Sequence, residues 1–355
     1  MEKILINKRV ITPGEPAFII AEIGVNHNGD PGLAREMVDA IADSGADCVK
    51  FQTFSAKEFV NSPKETYEYF SQGKKVKESM LEMFKRLEFK RDEFAGLFEY
   101  ARKRGLIPMS TPTDRNAVDL LDEIGTPAFK VGSDDLVYTP FLEYVASKGK
   151  PVIISTGMAE IADIERAVKT IRNAGNEQIL LLHCVSLYPT PPEKVNLRKM
   201  LTLKSMFDLP VGFSDHSRGN TACLGAVTLG ATVLEKHFTM DKNLPGPDHW
   251  FSMNPEELSS LVRQVREMEQ VLGKGEFILD ISEKKMADLC HRSIVLAKNL
   301  PVGHIINESD LAFRRPGTGV LPYDINKVLG CKTRKFLEAG THIELYDLEK
   351  VSIDV

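Results

Sequence analysis

The feature that most constrains the fold of this chain is an alternation of eight short apolar runs with helical segments. In segments such as GLAREMVDAIADSGA, apolar residues recur at the three- and four-residue spacing of an amphipathic helix. Eight strand–helix units over roughly 250 residues predict an α/β fold, a TIM (β/α)8 barrel. The alternative is an open doubly wound sheet, but no glycine-rich dinucleotide motif follows the first run. The predicted strands are 17–22, 47–52, 106–111, 127–133, 151–156, 178–184, 210–215 and 232–237.

The pattern changes near residue 275, where a charged segment leads into a region of short strands marked by Gly and Pro. Within that region LPVGHIINESDL (300–311) and LEAGTHIELYDL (337–348) share Leu, Gly, Ile, Asp and Leu in register. Two copies of one β-unit predict a small β-rich domain built around a pseudo-repeat. We therefore predict a barrel over 1–280, a linker over 281–289 and a β-rich domain over 290–355.

Composition excludes several broad classes of function. The net charge of −5 argues against a nucleic-acid or membrane-surface binder. No apolar run approaches the ~18 residues of a spanning helix, and the first ten residues do not resemble a signal peptide. None of the five cysteines forms a C-x-x-C pair. We expect a cytoplasmic protein with reduced thiols.

Polar and ionisable residues end nearly every predicted strand. In a TIM barrel those ends form the active-site face. Burying a charge costs several kcal/mol unless it is paired, so a single such residue could be a satisfied core group, but a full ring of them predicts a functional site. The ring comprises Glu22, Lys50, Gln52, Ser110, Thr111, Lys130, Ser133, Asp134, Asp135, Ser155, Thr156, His183, Ser214, Asp215, His216, Glu235 and His237.

Two lysines in this ring indicate an anion site. Lys50 and Lys130 each have apolar neighbours on both sides, which argues against surface lysines. Hydroxyl groups of Ser133, Ser155 and Ser214 could complete a cradle for a phosphate or carboxylate.

Two histidines end adjacent predicted strands, at His216 and His237. Their rings could share one divalent cation, with Glu22 assisting through water. Two imidazoles with few carboxylates suit Mn²⁺, Fe²⁺, Co²⁺ or Zn²⁺ better than Ca²⁺. A metal with open coordination positions would act as a Lewis acid on a carbonyl group or would bind and activate a water nucleophile.

A series of ordered motifs covers nearly the whole chain. They are IIAEIGVNHNGD, VKFQTF, STP, KVGS, ISTGM, HCVSLYPTP, GFSDH, LGATVLEKHFT and PGPDH, followed by RRPGTG at 314–319. In this order they resemble the sialic acid (nonulosonate) synthase family, whose chains end in an antifreeze-like SAF domain.

The resemblance implies a reaction. Phosphoenolpyruvate would condense with the open-chain aldehyde of an N-acetylmannosamine-like sugar, giving a nine-carbon 2-keto acid and phosphate. It also implies a divalent metal, with Mn²⁺ first and Mg²⁺ or Co²⁺ as alternatives. Finally, it implies a homodimer in which each SAF domain caps the partner's barrel.

Site roles carry over by position. The resemblance implies His216 and His237 as metal ligands. It also implies a group of catalytic residues and a group of substrate-binding residues. Within the substrate-binding group, Thr111, Ser133, Ser155 and Ser214 join the two lysines around phosphoenolpyruvate, and the remaining residues contact the sugar. The catalytic group is Glu22, Lys50, Lys130, Asp135 and Arg315, and the substrate-binding group is Gln52, Thr111, Ser133, Ser155, Tyr188, Ser214 and Asp248.

Departures from the family pattern leave the sugar open. Asp135 stands where several members have Glu, Ser186 where some have Asn, and Phe51 where some have His. Legionaminic and pseudaminic acid synthases, which use 2,4-diacetamido-trideoxy sugars, share the framework, as do members that use a 6-phosphosugar. Another phosphoenolpyruvate aldol synthase or an inactive binding protein are the remaining alternatives. Trp250 has no assignment beyond a wall of the sugar pocket.

Overall fold

A computed structural model of the chain describes residues 3–351. The chain divides after Gly273 into a larger and a smaller unit. No helix in the described range is long and apolar enough to cross a membrane.

The larger unit contains the eight predicted strands. They are β1 (Phe18–Gly24), β2 (Cys48–Thr53), β3 (Ile107–Pro112), β4 (Phe129–Val131), β5 (Val152–Ser155), β6 (Ile179–Cys184), β7 (Val211–Asp215) and β8 (Val233–His237). They form one parallel ladder in the order β3-β2-β1-β8-β7-β6-β5-β4, and β3 and β4 lie beside each other. The sheet is therefore a nearly closed TIM barrel, as the sequence predicts.

A helix follows each barrel strand. These helices are α1 (Pro31–Ser44), α2 (Arg91–Lys103), α3 (Arg115–Glu123), α4 (Thr139–Ala146), α5 (Ile161–Asn173), α6 (Arg198–Phe207), α7 (Thr221–Thr228) and α8 (Pro255–Leu272). Local sequence sets their ends. Asp30 caps α1 by accepting a hydrogen bond from the Gly32 amide, and Gly45, at φ +80°, ends it in the left-handed conformation that glycine tolerates.

Side chains alternate along the strands between two environments. Residues such as Ile19, Ala21 and Ile23 face the helices and form the larger core. Alternate residues face the barrel axis, where an apolar layer includes Phe18 and Ile20. Further along each strand the axial positions become polar, and this change places the site at the carboxyl end of the barrel.

A short antiparallel hairpin precedes the barrel and was not predicted from the sequence. Its strands are Ile4–Ile6 and Arg9–Ile11. Ile4, Ile6 and Ile11 are buried in the same cluster as the apolar axial layer. The hairpin therefore closes the amino-terminal end of the barrel.

The enlarged segment after β2 contains a second hairpin. Its strands, Thr66–Ser71 and Lys74–Ser79, lie between the short helices Ala56–Phe59 and Met80–Leu87. Ser71 accepts a hydrogen bond from the Gly246 amide, and Gln72 donates one to the Asn243 carbonyl. This hairpin is thus attached to the loop that follows β8.

The smaller unit begins with the helix Ile281–Cys290, so the residues predicted as a linker are helical. Two antiparallel pairs follow: Ser293–Leu296 with Leu311–Arg314, and Cys331–Thr333 with Leu348–Lys350. Leu300 and Leu337, the first residues of the two repeat copies, exchange backbone hydrogen bonds. Both copies end in a 3-10 turn and a short strand, which confirms the pseudo-repeat.

Candidate active site

A cavity of ≈ 540 Å³ opens at the carboxyl ends of the barrel strands. Most of the predicted site residues line it. These are Glu22, Lys50, Gln52, Thr111, Lys130, Ser133, Ser155, Tyr188, Ser214, His216 and His237. Side chains from widely separated parts of the chain therefore meet in one place.

The two lysines lie at the buried end of this cavity. Lys50 forms an ion pair with Glu22 and donates a hydrogen bond to Thr111 Oγ1 at 3.0 Å. Lys130 donates to Ser155 Oγ at 2.7 Å. Both lysines are at most 3% exposed, so their charges act through a medium that screens them weakly.

Glu235 lies between the lysines and is a site residue to which the sequence analysis assigned no role. Glu235 Oε2 lies 3.7 Å from Lys50 Nζ, and Oε1 lies 3.9 Å from Lys130 Nζ. Oε1 also accepts a hydrogen bond from Ser214 at 3.0 Å. Burial alone would raise the pKa of Glu235, but the two ammonium groups outweigh it and lower that pKa. Glu235 is therefore ionised at neutral pH.

At Glu22, unlike Glu235, the effect of burial on the pKa is larger than that of the neighbouring positive charge. Burial raises the pKa of Glu22, and Lys50 only partly offsets this. Glu22 Oε1 is buried with no hydrogen-bond partner. A buried carboxyl group with a raised pKa and a free oxygen is suited to exchange a proton with a substrate or water.

The ammonium groups respond differently to burial. Burial lowers the pKa of Lys130, whereas at Lys50 the attraction of Glu22 and Glu235 overcomes burial and raises the pKa. Lys50 is thus the fixed positive charge of the site. Lys130 keeps its proton most readily when an anion lies beside it.

Ser133 adds a further hydroxyl group to the cavity lining. Ser133 Oγ accepts a hydrogen bond from the Gly157 amide at 3.0 Å. A Cβ atom at position 157 would lie 2.7 Å from that oxygen, so a side chain there would displace Ser133. Glycine keeps this wall of the cavity open.

The rings of His216 and His237 lie side by side, with centroids 5.4 Å apart. His216 Nδ1 lies 2.9 Å from the Val185 carbonyl oxygen, which can only accept, so Nδ1 carries the proton and Nε2 is free to bind a ligand. His237 Nδ1 is buried with no hydrogen-bond partner, and burial holds the pKa of His237 well below its usual value. Burial lowers the pKa of His216, but Cys184 and the Val185 carbonyl outweigh it and raise that pKa. His237 thus offers a nitrogen lone pair, and so does the neutral form of His216.

These two nitrogens fit a divalent metal of the Mn²⁺ or Co²⁺ type. Within residues 3–351, the His, Cys, Asp and Glu side chains form no group of three or more with metal-ligand spacing. Asp248 Oδ2 is 4.0 Å from His237 Nδ1. His216 and His237 are therefore the residues that would hold a metal bound here.

Aromatic rings surround the cavity mouth. Tyr188 packs on His216 with ring centroids 4.1 Å apart. Phe54, Phe59 and Phe84 also line the cavity and contact one another, with centroids 4.9 to 6.1 Å apart. The cavity thus has an apolar wall as well as a charged floor.

Two predicted site residues in the barrel unit lie outside the cavity lining. Asp134, rather than Asp135, lines the cavity, and burial raises the pKa of Asp135 to about 7. Asp248 does not line it but lies next to His237, and burial raises its pKa to about 6. Both are therefore neighbours of the site.

Three further expectations can be compared with the structure. Trp250 packs against Phe70 of the second hairpin, with centroids 5.1 Å apart, and does not line the cavity. Phe51 is buried in the core between barrel and helices, so it faces away from the cavity. Arg315 belongs to the smaller unit, where it is exposed, and its role remains a prediction.

Comparison with known proteins agrees with this geometry. A sequence profile of the NeuB family matches residues 37–277, and a profile of the SAF domain matches residues 291–349. An N,N'-diacetyllegionaminic acid synthase from Legionella pneumophila is 44% identical over 336 residues, covering 92% of this chain and 94% of the relative. The human N-acetylneuraminate-9-phosphate synthase is 37% identical over 336 residues, covering 94% and 93%.

Solved structures give the same result. The N-acetylneuraminic acid synthetase of Leptospira borgpetersenii, crystallised with citrate, superposes with a TM-score of 0.73. It is 36% identical, and the match covers 80% of this chain and 95% of that one.

Proposed function

This chain belongs to the NeuB family, and we propose that it condenses phosphoenolpyruvate with the aldehyde of an N-acetylmannosamine-type sugar. The products are a nine-carbon 2-keto acid and inorganic phosphate. One observation carries the proposal: a lysine- and hydroxyl-lined anion pocket and two lone-pair imidazoles share a single cavity at the carboxyl end of the barrel.

Phosphoenolpyruvate fits the floor of the cavity. Lys50 and Lys130 supply two positive charges, and Ser155 and Thr111 lie within hydrogen-bond distance of them. Ser133 and Ser214 extend this donor set. Charge-assisted hydrogen bonds to phosphate and carboxylate oxygens would hold the substrate with its C3 carbon toward the imidazoles.

His216 and His237 would hold the divalent metal. The metal, when bound, supplies a Lewis acid that polarises the sugar aldehyde. The two rings fix its place beside the anion pocket. The aldehyde carbon and the C3 carbon of phosphoenolpyruvate are thereby brought together, which removes much of the entropic barrier to bond formation.

Glu22 would manage the proton of the water that completes the reaction. Attack of C3 on the aldehyde carbon leaves positive charge at C2, and water then adds at C2. Glu22 accepts one proton from this water, which replaces the proton taken up by the former aldehyde oxygen as it becomes a hydroxyl group. Cleavage of the C2–O bond then expels phosphate together with the second proton and leaves the keto group at C2. A carboxylate beside C2 also stabilises the positive charge electrostatically.

The sugar end favours an unphosphorylated substrate. Among the described residues that line the cavity, the basic side chains are Lys50, Lys130, His216 and His237, which are already assigned to phosphoenolpyruvate and metal. The apolar wall of Phe54, Phe59 and Phe84 suits a methyl group better than a phosphate. This wall favours a second candidate, a 2,4-diacetamido-trideoxy hexose, which is consistent with the 44% identity to a diacetyllegionaminic acid synthase.

Gln52, Tyr188 and Asp248 would contact the sugar's hydroxyl and N-acyl groups. Asp135, behind Asp134, would assist proton transfer at the rim of the site. Arg315 would reach the N-acyl group from the partner subunit of a homodimer.

The dimer proposal is supported by an exposed apolar segment in the smaller unit. Phe277, Ile278, Ile281 and Leu289 are each more than half exposed in the single chain. Contiguous exposed apolar side chains of this kind mark interaction surfaces. A second copy of the chain would bury them.

Phosphate release tests the proposed function. The protein is incubated with phosphoenolpyruvate, Mn²⁺ and either N-acetylmannosamine, its 6-phosphate or a 2,4-diacetamido-trideoxy hexose. We expect phosphate release only when an unphosphorylated sugar is present, and its loss with EDTA. Equal release without sugar, or none with any sugar of the panel, would disprove the synthase assignment.

A further inference from the structure

Lys236 is a buried charge that the proposed chemistry does not use. It lies on β8 between Glu235 and His237, whose side chains face the cavity. Because side chains alternate along a strand, Lys236 points the other way. It is only 3% exposed, so it lies under the helices and not in solvent.

Its ammonium group has a complete set of partners. Lys236 Nζ donates to Asp215 Oδ2 at 2.6 Å, to the Ser217 carbonyl oxygen and to the Gly219 carbonyl oxygen at 3.3 Å. These three acceptors use its three protons. All three lie on the end of β7 or on the loop that follows.

Asp215 fixes the same loop from its other oxygen. Asp215 Oδ1 accepts a hydrogen bond from the Ser217 amide at 2.7 Å, and Oδ2 accepts one from Cys223 Sγ at 3.3 Å. Ser217 is thus held at its amide by Asp215 and at its carbonyl by Lys236. His216 lies between Asp215 and Ser217, the two residues that these hydrogen bonds join.

We propose that Lys236 is a positioning residue that sets the distance between the two imidazoles. It is joined through the backbone to His237 on one side and through Asp215, Ser217 and Gly219 to His216 on the other. The pair Lys236–Asp215 therefore ties the two strand ends into one rigid support beneath the rings. This inference rests on the proposed metal role of the two histidines.

A purely stabilising role does not require this arrangement. Replacing a buried ion pair with neutral groups of similar volume often leaves stability unchanged. The backbone carbonyls of Ser217 and Gly219, however, would lose their shared donor. Their loop would then move, and His216 with it.

The test is the double variant Lys236→Met with Asp215→Asn. The single variant Lys236→Met leaves an unpaired buried carboxylate and risks unfolding, whereas the double variant removes both charges and keeps the volumes. Lys242→Met is the control. Lys242 lies five residues after His237, and its substitution breaks a partly exposed ion pair with Glu257. Circular dichroism and thermal unfolding establish that each variant is folded.

Two measurements decide the matter. Mn²⁺ binding without substrate, followed by electron paramagnetic resonance, should weaken at least about 10-fold in the folded double variant and be unchanged in the control. A crystal structure of the double variant should show the His216 ring displaced from His237 by about 1 Å, the scale at which misplacement impairs a site.

The outcomes are separable from those of the proposed function. The positioning role would be overturned if the folded double variant bound Mn²⁺ as tightly as the wild type does. It would also be overturned if the apparent Mn²⁺ affinity fell only in proportion to the fraction of protein that is folded. If the wild type itself binds no Mn²⁺, the metal proposal fails, and the crystal structure decides alone: unmoved rings then refute the inference.

Discussion

At the scale of single residues, Glu235 shows how the site is balanced. Two ammonium groups, Lys50 and Lys130, face two carboxylates, Glu22 and Glu235, at one end of the cavity. A phosphate that enters must take over the lysine charges from these carboxylates. Binding of the anionic substrate therefore raises further the pKa of Glu22, which burial already raises, and makes its carboxylate a stronger acceptor for the proton of water.

The sequence did not reveal this role of Glu235, although one signal was present. Glu235 and His237 are two residues apart on one strand, which puts both on the axial face. The contact with Ser214, however, depends on the register of β7 against β8 across 21 residues. The chemical types at the strand ends could be predicted from the sequence, but their pairing could not.

Glu22→Gln tests the proton role. We expect kcat to fall by about 10²-fold or more, because the amide cannot accept a proton from water. The KM for phosphoenolpyruvate should change much less, because the lysines still bind it. In the wild type, kcat should rise with pH through the raised pKa of Glu22, since the ionised form is the base, and this rise should be absent from the variant.

Steady-state kinetics across pH measures both effects, and Glu165→Gln, an exposed carboxylate on α5, is the matched control. A variant that keeps wild-type kcat and the same rise with pH would show that another group manages the proton.

At the scale of elements, the eight barrel strands were predictable because each is a compact apolar run followed by an amphipathic helix. The amino-terminal hairpin was not, because its strands are only three residues each, too short to show a periodic pattern. The hairpin Thr66–Ser71 with Lys74–Ser79 was also missed, because most of its strand residues are exposed and five of the twelve are charged. Such strands are defined by pairing and tertiary contacts more than by their own composition.

The amino-terminal hairpin gives a prediction about stability. Ile6 is fully buried beneath the barrel axis, whereas the adjacent Leu5 is 53% exposed. Ile6→Ala should lower the free energy of unfolding by about 2–5 kcal/mol through lost burial and a residual cavity. Leu5→Ala should change it by about 0.5 kcal/mol or less.

Denaturant unfolding measures both variants, and assays at 25 °C should show normal kcat, because the hairpin closes the end of the barrel opposite the site. Equal effects of the two substitutions would mean that the hairpin does not seal the barrel.

At the scale of the whole molecule, the chain joins a barrel that holds the proposed reacting groups to a smaller unit that carries Arg315. The repeat within the smaller unit was predictable, because Gly303 and Gly340 both occupy left-handed turns, at φ +83° each, and equivalent leucines fill the core. A role for Arg315 in a partner's site is a property of an assembly, and neither composition nor periodicity in one chain determines it.

Subunit mixing tests that role. His237→Ala and Arg315→Ala are each expected to lose most synthase activity, the first through the metal site and the second through the sugar. If Arg315 serves the partner's barrel, a hybrid dimer contains one complete site: the barrel of the Arg315→Ala subunit, completed by the arginine of the His237→Ala subunit. Random exchange of equal amounts gives about half hybrids, so activity should recover to roughly a quarter of wild type.

If Arg315 instead serves its own barrel, every site in the mixture lacks one group, and mixing restores nothing. Each variant denatured and refolded alone controls for recovery without exchange, and phosphate release measured before and after joint refolding distinguishes the two arrangements.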